Sequence, residues 1–225
     1  MNSGFFCTKK FNFSFSKFNK MKIYSPLFIA IRVIVYSLVI FGVAEAIFFD
    51  AAHPMEEGYF GEITFTEIGQ EMILFLLFGF YLWLGFKWRA IQPVSNLVSL
   101  FFLMSFIREF NFLIDKWIFP VLLVFAFFIW LFVRDFKKIK DATIQFFSVP
   151  ASSWLLSGFL VTFIFSRLLG RSKFWKLLYS DESYRLAKAA TEEGLELLGN
   201  VIMLIGAIEF LIYYFAEQKI KNEKL

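Results

Sequence analysis

Apolar residues along this chain come in runs of about twenty, set apart by short polar and charged segments, and that pattern predicts membrane-crossing helices. Six runs stand out, at residues 27–49, 67–86, 94–111, 117–133, 150–169 and 195–215. At about 1.5 Å of rise per residue, each comes close to the length needed to cross a hydrocarbon layer of roughly 30 Å. The expected fold is an all-α integral membrane protein, a bundle of about six transmembrane helices with an interfacial amphipathic helix before the last span. Local signals punctuate the runs. Thr64 followed by Glu67 has the spacing of a capping box ahead of the second. Pro120 falls in the first turn of the fourth, where a missing N–H costs nothing. Residues 134–141, with Arg134, Lys137, Lys138 and Lys140, read as a charged loop. Residues 171–191 are polar with a helical pattern, and Phe174, Trp175, Leu177 and Leu178 suit the membrane interface. Asp181 or Ser183 is a candidate cap for a helix that starts near Tyr184 and continues into the last run. No internal repeat appears, nor an inverted pair of broken helices.

Composition strengthens this picture. Of 225 residues, 59% are hydrophobic and 22% aromatic, more apolar mass than one soluble core of this size can bury. Residues 1–25 form a basic N-terminal segment, 26–217 the polytopic transmembrane domain, and 218–225 a basic tail. The six runs leave no room for a separate soluble domain. The single cysteine, Cys7, excludes an intramolecular disulfide. The single histidine, His53, excludes zinc sites built on several imidazoles and reads as a solvated loop residue. The 35 phenylalanines read as apolar filler, and Trp88, Trp117, Trp154 and Trp175 as an aromatic belt near span ends. In the N-terminal segment Lys9, Lys10, Lys17, Lys20 and Lys22 alternate with Phe11, Phe13 and Phe15. Such interleaving suits single-stranded nucleic acid or an anionic lipid surface. Its place beside a span favours lipid, so no nucleic-acid partner is expected, and Met21 is an alternative start. Ala44-Glu45-Ala46 has the form of a signal-peptidase site, but the apolar run before it is too long and contains Arg32.

Lys and Arg set the expected orientation. The N-terminus, the 87–92 turn, the 134–141 loop and the tail are basic. The 50–66 loop carries Asp50, Glu56, Glu57 and Glu62 and no basic residue. An even number of spans then places both termini in the cytoplasm. The basic residues of 170–190 run against this, partly balanced by Asp181, Glu182, Glu192 and Glu193.

Charged side chains inside a bilayer cost about 2.5–3.5 kcal/mol each on insertion scales, so they mark structure or function. On six spans they gather toward the outer side: Glu45 near the end of the first; Glu67 and Glu71, four apart, at the start of the second; Arg108 and Glu109 late in the third, with Asp115 just beyond; Arg167 at the end of the fifth; Glu192, Glu193 and Glu196 opening the sixth. Gly199 and Gly206 share the side of Glu192 and Glu196, and small residues admit a close helix neighbour, which turns that face inward. Glu209 lies deeper, with no cation evident in sequence.

Three readings of the cluster stand side by side. Carboxylates at helix starts favour the helix dipole, and the arginines pair with them, which suits a structural or assembly subunit with a membrane-protein partner or a second copy. Alternatively, eight carboxylates against two arginines suit a cation or protons, and oxygen-only ligands favour a hard ion such as Ca²⁺, Mg²⁺ or Mn²⁺, bound or transported. The third reading is an intramembrane lipid-modifying enzyme using a carboxylate pair. Against it, G-x-S-x-G, H-E-x-x-H and a glycine-rich phosphate loop are all missing, and Ser105 and Ser166 read as backbone-bonded serines. Arg108-Glu109-Phe110 with Asp115, and Glu192-Glu193-Gly194-Leu195-Glu196, resemble segments of small bacterial inner-membrane proteins, which implies that location and carries no residue roles. The lone histidine sets the chain apart from alkaline-ceramidase-type hydrolases. The lack of a mid-span lysine in the last helix sets it apart from retinal proteins.

Overall fold

A computed structural model describes residues 25–54, 64–110, 116–179 and 183–222. Every element in them is helical. The helices are α1 (Pro26–Ala52), α2 (Phe65–Lys87), α3 (Gln92–Glu109), α4 (Ile118–Arg134), α5 (Phe136–Ser148), α6 (Ala151–Leu160), α7 (Ser166–Leu169), α8 (Ser172–Trp175) and α9 (Tyr184–Asn222). A π-helical turn, Val161–Phe165, joins α6 to α7. Four helices are long and apolar enough to cross a membrane: α1, α2, the α6–α7 unit and α9. A fifth is added if α4 and α5, bent by 94° at Asp135, count as one broken span.

α9 is the spine, touching α1, α2 and the whole α6–α8 segment. α2 packs along α3, and α4 leans on α3 from outside. α3 is less apolar than its neighbours because its serines face α2. Ser95 donates to Tyr81 O at 2.6 Å and Ser99 to Phe78 O at 3.0 Å, so hydroxyls bind helix to helix where the hydrophobic effect cannot. The core is an aromatic layer in which Phe102, Phe146 and Phe210 stack and tilt around Tyr81, each ring centre about 6 Å from it, with Leu77, Leu84 and Met203 in the same cluster. Outside this layer, α1 and α4 present continuous apolar faces, including Leu27, Val33, Ile34, Leu38, Leu123 and Val133. A water-facing surface does not carry patches of that extent, whereas acyl chains cover them without cost.

Several expectations change. Residues 136–148 form helix α5 where a loop was expected. Ala142 and Phe146 dock on the bundle while Lys137, Lys138 and Lys140 stay exposed, an apolar stripe that the density of charge hides. Ahead of α9, residues 171–179 give only the single-turn α8, pinned by Trp175 Nε1 donating to Leu169 O at 2.5 Å. α9 begins at Tyr184, where a helix start was expected, so Glu192, Glu193 and Glu196 precede or open the apolar run but sit more than two turns inside the helix, away from its dipole. The start of α2 is capped from a distance. Thr64 makes no side-chain cap bond. Instead, the buried Asp50 carboxylate accepts from Phe65 N at 2.9 Å and Thr66 N at 2.8 Å, an anion placed where N–H groups and dipole converge.

Candidate functional site: a carboxylate and arginine cluster at one end of the bundle

Three close helix approaches build the site. A Cβ on Gly199 would overlap Thr162 Oγ1 and lie 2.8 Å from Gly158 O. One on Gly158 would lie 2.5 Å from Gly199 O, and one on Gly206 3.0 Å from Leu155 N. Only glycine permits this backbone contact between α9 and α6. It carries the π turn onto the acidic part of α9, and Gly170 brings the end of α7 against the Glu192 carboxylate.

Arg167, at the end of the span, bridges two acids of α9. Nη1 lies 2.9 Å from Glu192 Oε1 and Nη2 2.9 Å from Glu196 Oε1. Lys188 adds a second cation to Glu192 at 3.1 Å, one turn earlier on the same helix. Glu193 points to α2, where Gln70 Nε2 donates to its carboxylate at 3.0 Å. Arg108 and Glu109, at the end of α3, pair with each other. The Glu109 charge acts on Glu71, Glu193 and Glu196, so α2, α3 and α9 share one electrostatic centre. Glu71 is buried, and its Oε1 has no hydrogen-bond partner among the described residues. Beneath the ion pairs lies a drier layer. Ser166 Oγ donates to Thr162 O at 2.5 Å and stands 3.4 Å from Glu196 Oε1, while Thr162 Oγ1 stands 3.4 Å from both Glu196 O and Asn200 Oδ1.

The expected cluster therefore divides. Glu71, Arg108, Glu109, Arg167, Glu192, Glu193 and Glu196 come together at one end of the bundle. Glu67 is half-buried in the first turn of α2. Glu45 is exposed and lines an open surface pocket of about 460 Å³ with Phe48, Phe49, His53 and Phe65, apart from the cluster. Asp115 lies outside the described residues, as do residues 1–24, Glu56, Glu57, Glu62, Asp181 and Glu182. The described carboxylates do not converge as metal ligands, and no group of three His, Cys, Asp or Glu side chains is placed to hold a metal among the described residues. Ser105 and Ser166 both donate to backbone carbonyls of their own helices, which leaves neither activated as a nucleophile.

Sequence reasoning missed Gln70, Lys188, Thr162 and Asn200, all polar residues at the same level as the acids, a signal that was available. It also missed a second station. Glu209 accepts from Arg32 Nη1 at 3.0 Å and from the Tyr36 hydroxyl, joining α1 to α9. Arg32 also stacks over Phe28 at 4.6 Å. Two opposite charges, each toward the end of its helix nearer a terminus, were the clue. Compared with known proteins, this chain matches no family model, no curated protein and no solved structure.

Proposed function

We propose that the chain is a six-span protein of the bacterial cytoplasmic membrane, both termini on the cytoplasmic side, that binds and passes a small cation or protons through the carboxylate and arginine cluster. α3 and α4 supply the two spans beyond the four helices that are individually long and apolar enough. The observation that carries the reading is a surplus of acid, buried at Glu71 and Glu196 and half-buried at Glu109, Glu192 and Glu193. Glu71, Glu109, Glu192, Glu193 and Glu196 stand against Arg108, Arg167 and Lys188, and Glu71 keeps a buried carboxyl oxygen without a hydrogen-bond partner among the described residues. Buried carboxyl groups need a cation, a donor or a proton, and the fixed cations are too few to serve all of them. With α9 starting at Tyr184, the helix dipole, which fades within the first turn, does not account for Glu192, Glu193 or Glu196.

The test is transport by the purified protein in vesicles loaded with a pH-sensitive dye, under an imposed pH step or a cation gradient. Flux above that of empty vesicles, lowered by Glu71→Gln and Glu193→Gln, is the expected result. No flux, together with an unfolding midpoint that neither pH nor any added cation moves, would overturn the reading. That outcome would favour the structural-subunit alternative.

A further inference from the structure

We infer that the pocket at Glu45 is a lipid site, which takes the ammonium headgroup of a zwitterionic phospholipid such as phosphatidylethanolamine. It lies apart from the carboxylate and arginine cluster and does not depend on what that cluster does. The pocket, about 460 Å³, lies between the later part of α1 and Phe65 at the start of α2.

One face of α1 builds most of it. Gly42, Glu45, Ala46, Phe49 and His53 all line it, and their spacing of three or four residues stacks them on one side of the helix. Gly42 and Ala46 make a low floor, and a Cβ on Gly42 would meet nothing within 4 Å. Three rings make a wall. Phe49 stacks on His53 with ring centres 4.4 Å apart and tilts against Phe65 at 5.8 Å. His53 Nδ1 lies 2.9 Å from Phe49 O, which fixes the orientation of the imidazole. The wall is therefore assembled before any ligand arrives.

Charge says what the pocket takes. Glu45 has no hydrogen bond or ion pair among the described residues, and no Lys or Arg lines the pocket. None occurs in the sequence between Arg32 and Lys87. Arg32 is paired with Glu209 near the start of α1, and Lys87 ends α2, so both lie at the opposite ends of these helices. The 50–66 segment adds Asp50, Glu56, Glu57 and Glu62 to the same stretch of chain. A carboxylate beside apolar surface calls for a cation, and these elements supply none here. The cation has to come from outside the chain.

Depth says where it comes from. Glu45 follows Pro26 by nineteen residues, about 28 Å along the helix, against a hydrocarbon thickness of roughly 30 Å. Its carboxylate thus reaches the level where headgroups begin. Aromatic rings favour that level, and their faces attract ammonium groups. Below Gly42 the same helix face continues with Leu38, 63% exposed, a track for an acyl chain. An ammonium set between Glu45 and the ring wall, with its chain over Gly42 and Leu38 and its phosphate toward water, uses every part of the pocket. An anionic headgroup meets Glu45 and the acids of the following segment and is repelled.

Native mass spectrometry of the purified full-length protein in detergent tests this by counting retained lipids. Phosphatidylethanolamine and phosphatidylglycerol with the same acyl chains are titrated separately. Glu45→Gln should weaken phosphatidylethanolamine binding about tenfold, the loss of one charged contact, and should not weaken phosphatidylglycerol. Glu45→Lys should reverse the preference. Gly42→Leu, which fills the floor and leaves the acid, should also lose phosphatidylethanolamine. Neither position holds another helix, so lipid-free unfolding midpoints should stay with the parent's. Phosphatidylethanolamine binding that all three variants retain would overturn the site. Equal weakening of both lipids in Glu45→Gln would overturn the headgroup assignment. Competition by water-soluble glycerophosphoethanolamine as strong as that by the intact lipid would overturn the lipid as the source of the amine.

Discussion

Removing Arg32 tests the physics of this bundle most directly, because that side chain holds α1 where little else does. Along α1 only Val43, Ala46 and Asp50 are buried. Val43 and Ala46 pack on Leu197, Val201 and Ile205 toward the C-terminal part of α1. Nearer its start, the helix meets α9 through Arg32 and Tyr36 on Glu209. Arg32→Gln deletes the 3.0 Å ion pair and leaves Glu209, 15% exposed, with the Tyr36 hydroxyl. Breaking a fully buried pair from one side costs about 3–5 kcal/mol, because the remaining charge is stranded. Partial exposure and the surviving hydroxyl bring the expectation down to about 2–3 kcal/mol. In the double variant Arg32→Gln, Glu209→Gln no charge is stranded and two amides can bond each other, so its cost should be only about 1 kcal/mol. The two changes must then be strongly non-additive, with a coupling of at least about 1–2 kcal/mol, larger by whatever Glu209→Gln costs alone, at or above the upper end of side-chain couplings inside membranes. Equilibrium unfolding in mixed micelles, run on the parent, both single variants and the double, measures this directly. Additive single effects, or Arg32→Gln within about 0.5 kcal/mol of the parent, would refute the claim that the ion pair clamps α1.

Glycine contacts separate by position. Gly199→Ala drives a methyl into Thr162 and the Gly158 backbone and should lower stability by about 1–3 kcal/mol or more. Gly42→Ala and Gly79→Ala meet nothing within 4 Å and should raise it by about 0.5–1 kcal/mol through helix propensity. Thermal melts of the three variants suffice, and equal signs for Gly199 and Gly42 would refute the packing. Asp50→Ala removes both side-chain acceptors at the start of α2 and should cost about 1–2 kcal/mol. If hydrogen exchange at Phe65 and Thr66 is no faster in that variant, Asp50 is not the cap.

The apolar helices were legible because the signal is one of length: about twenty apolar residues in a row have few homes besides a bilayer. Much of the charge cluster was legible too, since helices of known order and similar length bring their like ends to one level. The start of α9 near Tyr184 was legible too, because Leu186, Ala187, Ala189 and Ala190 carry the helical pattern at lower hydropathy before the apolar run rises at Leu195. What stayed hidden needed information the local pattern does not hold. α5 resembles a loop in sequence because its lysines dominate, although Ile139, Ala142 and Phe146 have helical spacing. Asp50 looks in sequence like one more acid of the loop, because a cap supplied by the preceding helix leaves no short motif. The Arg32–Glu209 pair spans 177 positions, and only the antiparallel packing of α1 and α9 sets those residues side by side.

That packing also constrains how the two charged stations can communicate. Glu196 and Glu209 lie on one helix, thirteen residues and so about 20 Å apart along its axis. Between them α9 presents Val201, Met203, Ile205 and Ala207, all buried, and the Gly206 contact with α6. Those residues leave no polar side chain on α9 between Asn200 and Glu209 to relay a charge, so a direct electrostatic link would have to cross closely packed hydrocarbon. If the cluster and the clamp influence each other, they must do so mechanically. The spine would shift against α6 along its glycine seam, and α1 would follow through Arg32. A seam of bare backbone contacts suits small sliding motions, because no side chain must leave one socket and find another. The sequence therefore places rigidity and mobility on the same helix: glycines where α9 must pass close to its neighbour, and charge where its position must be held.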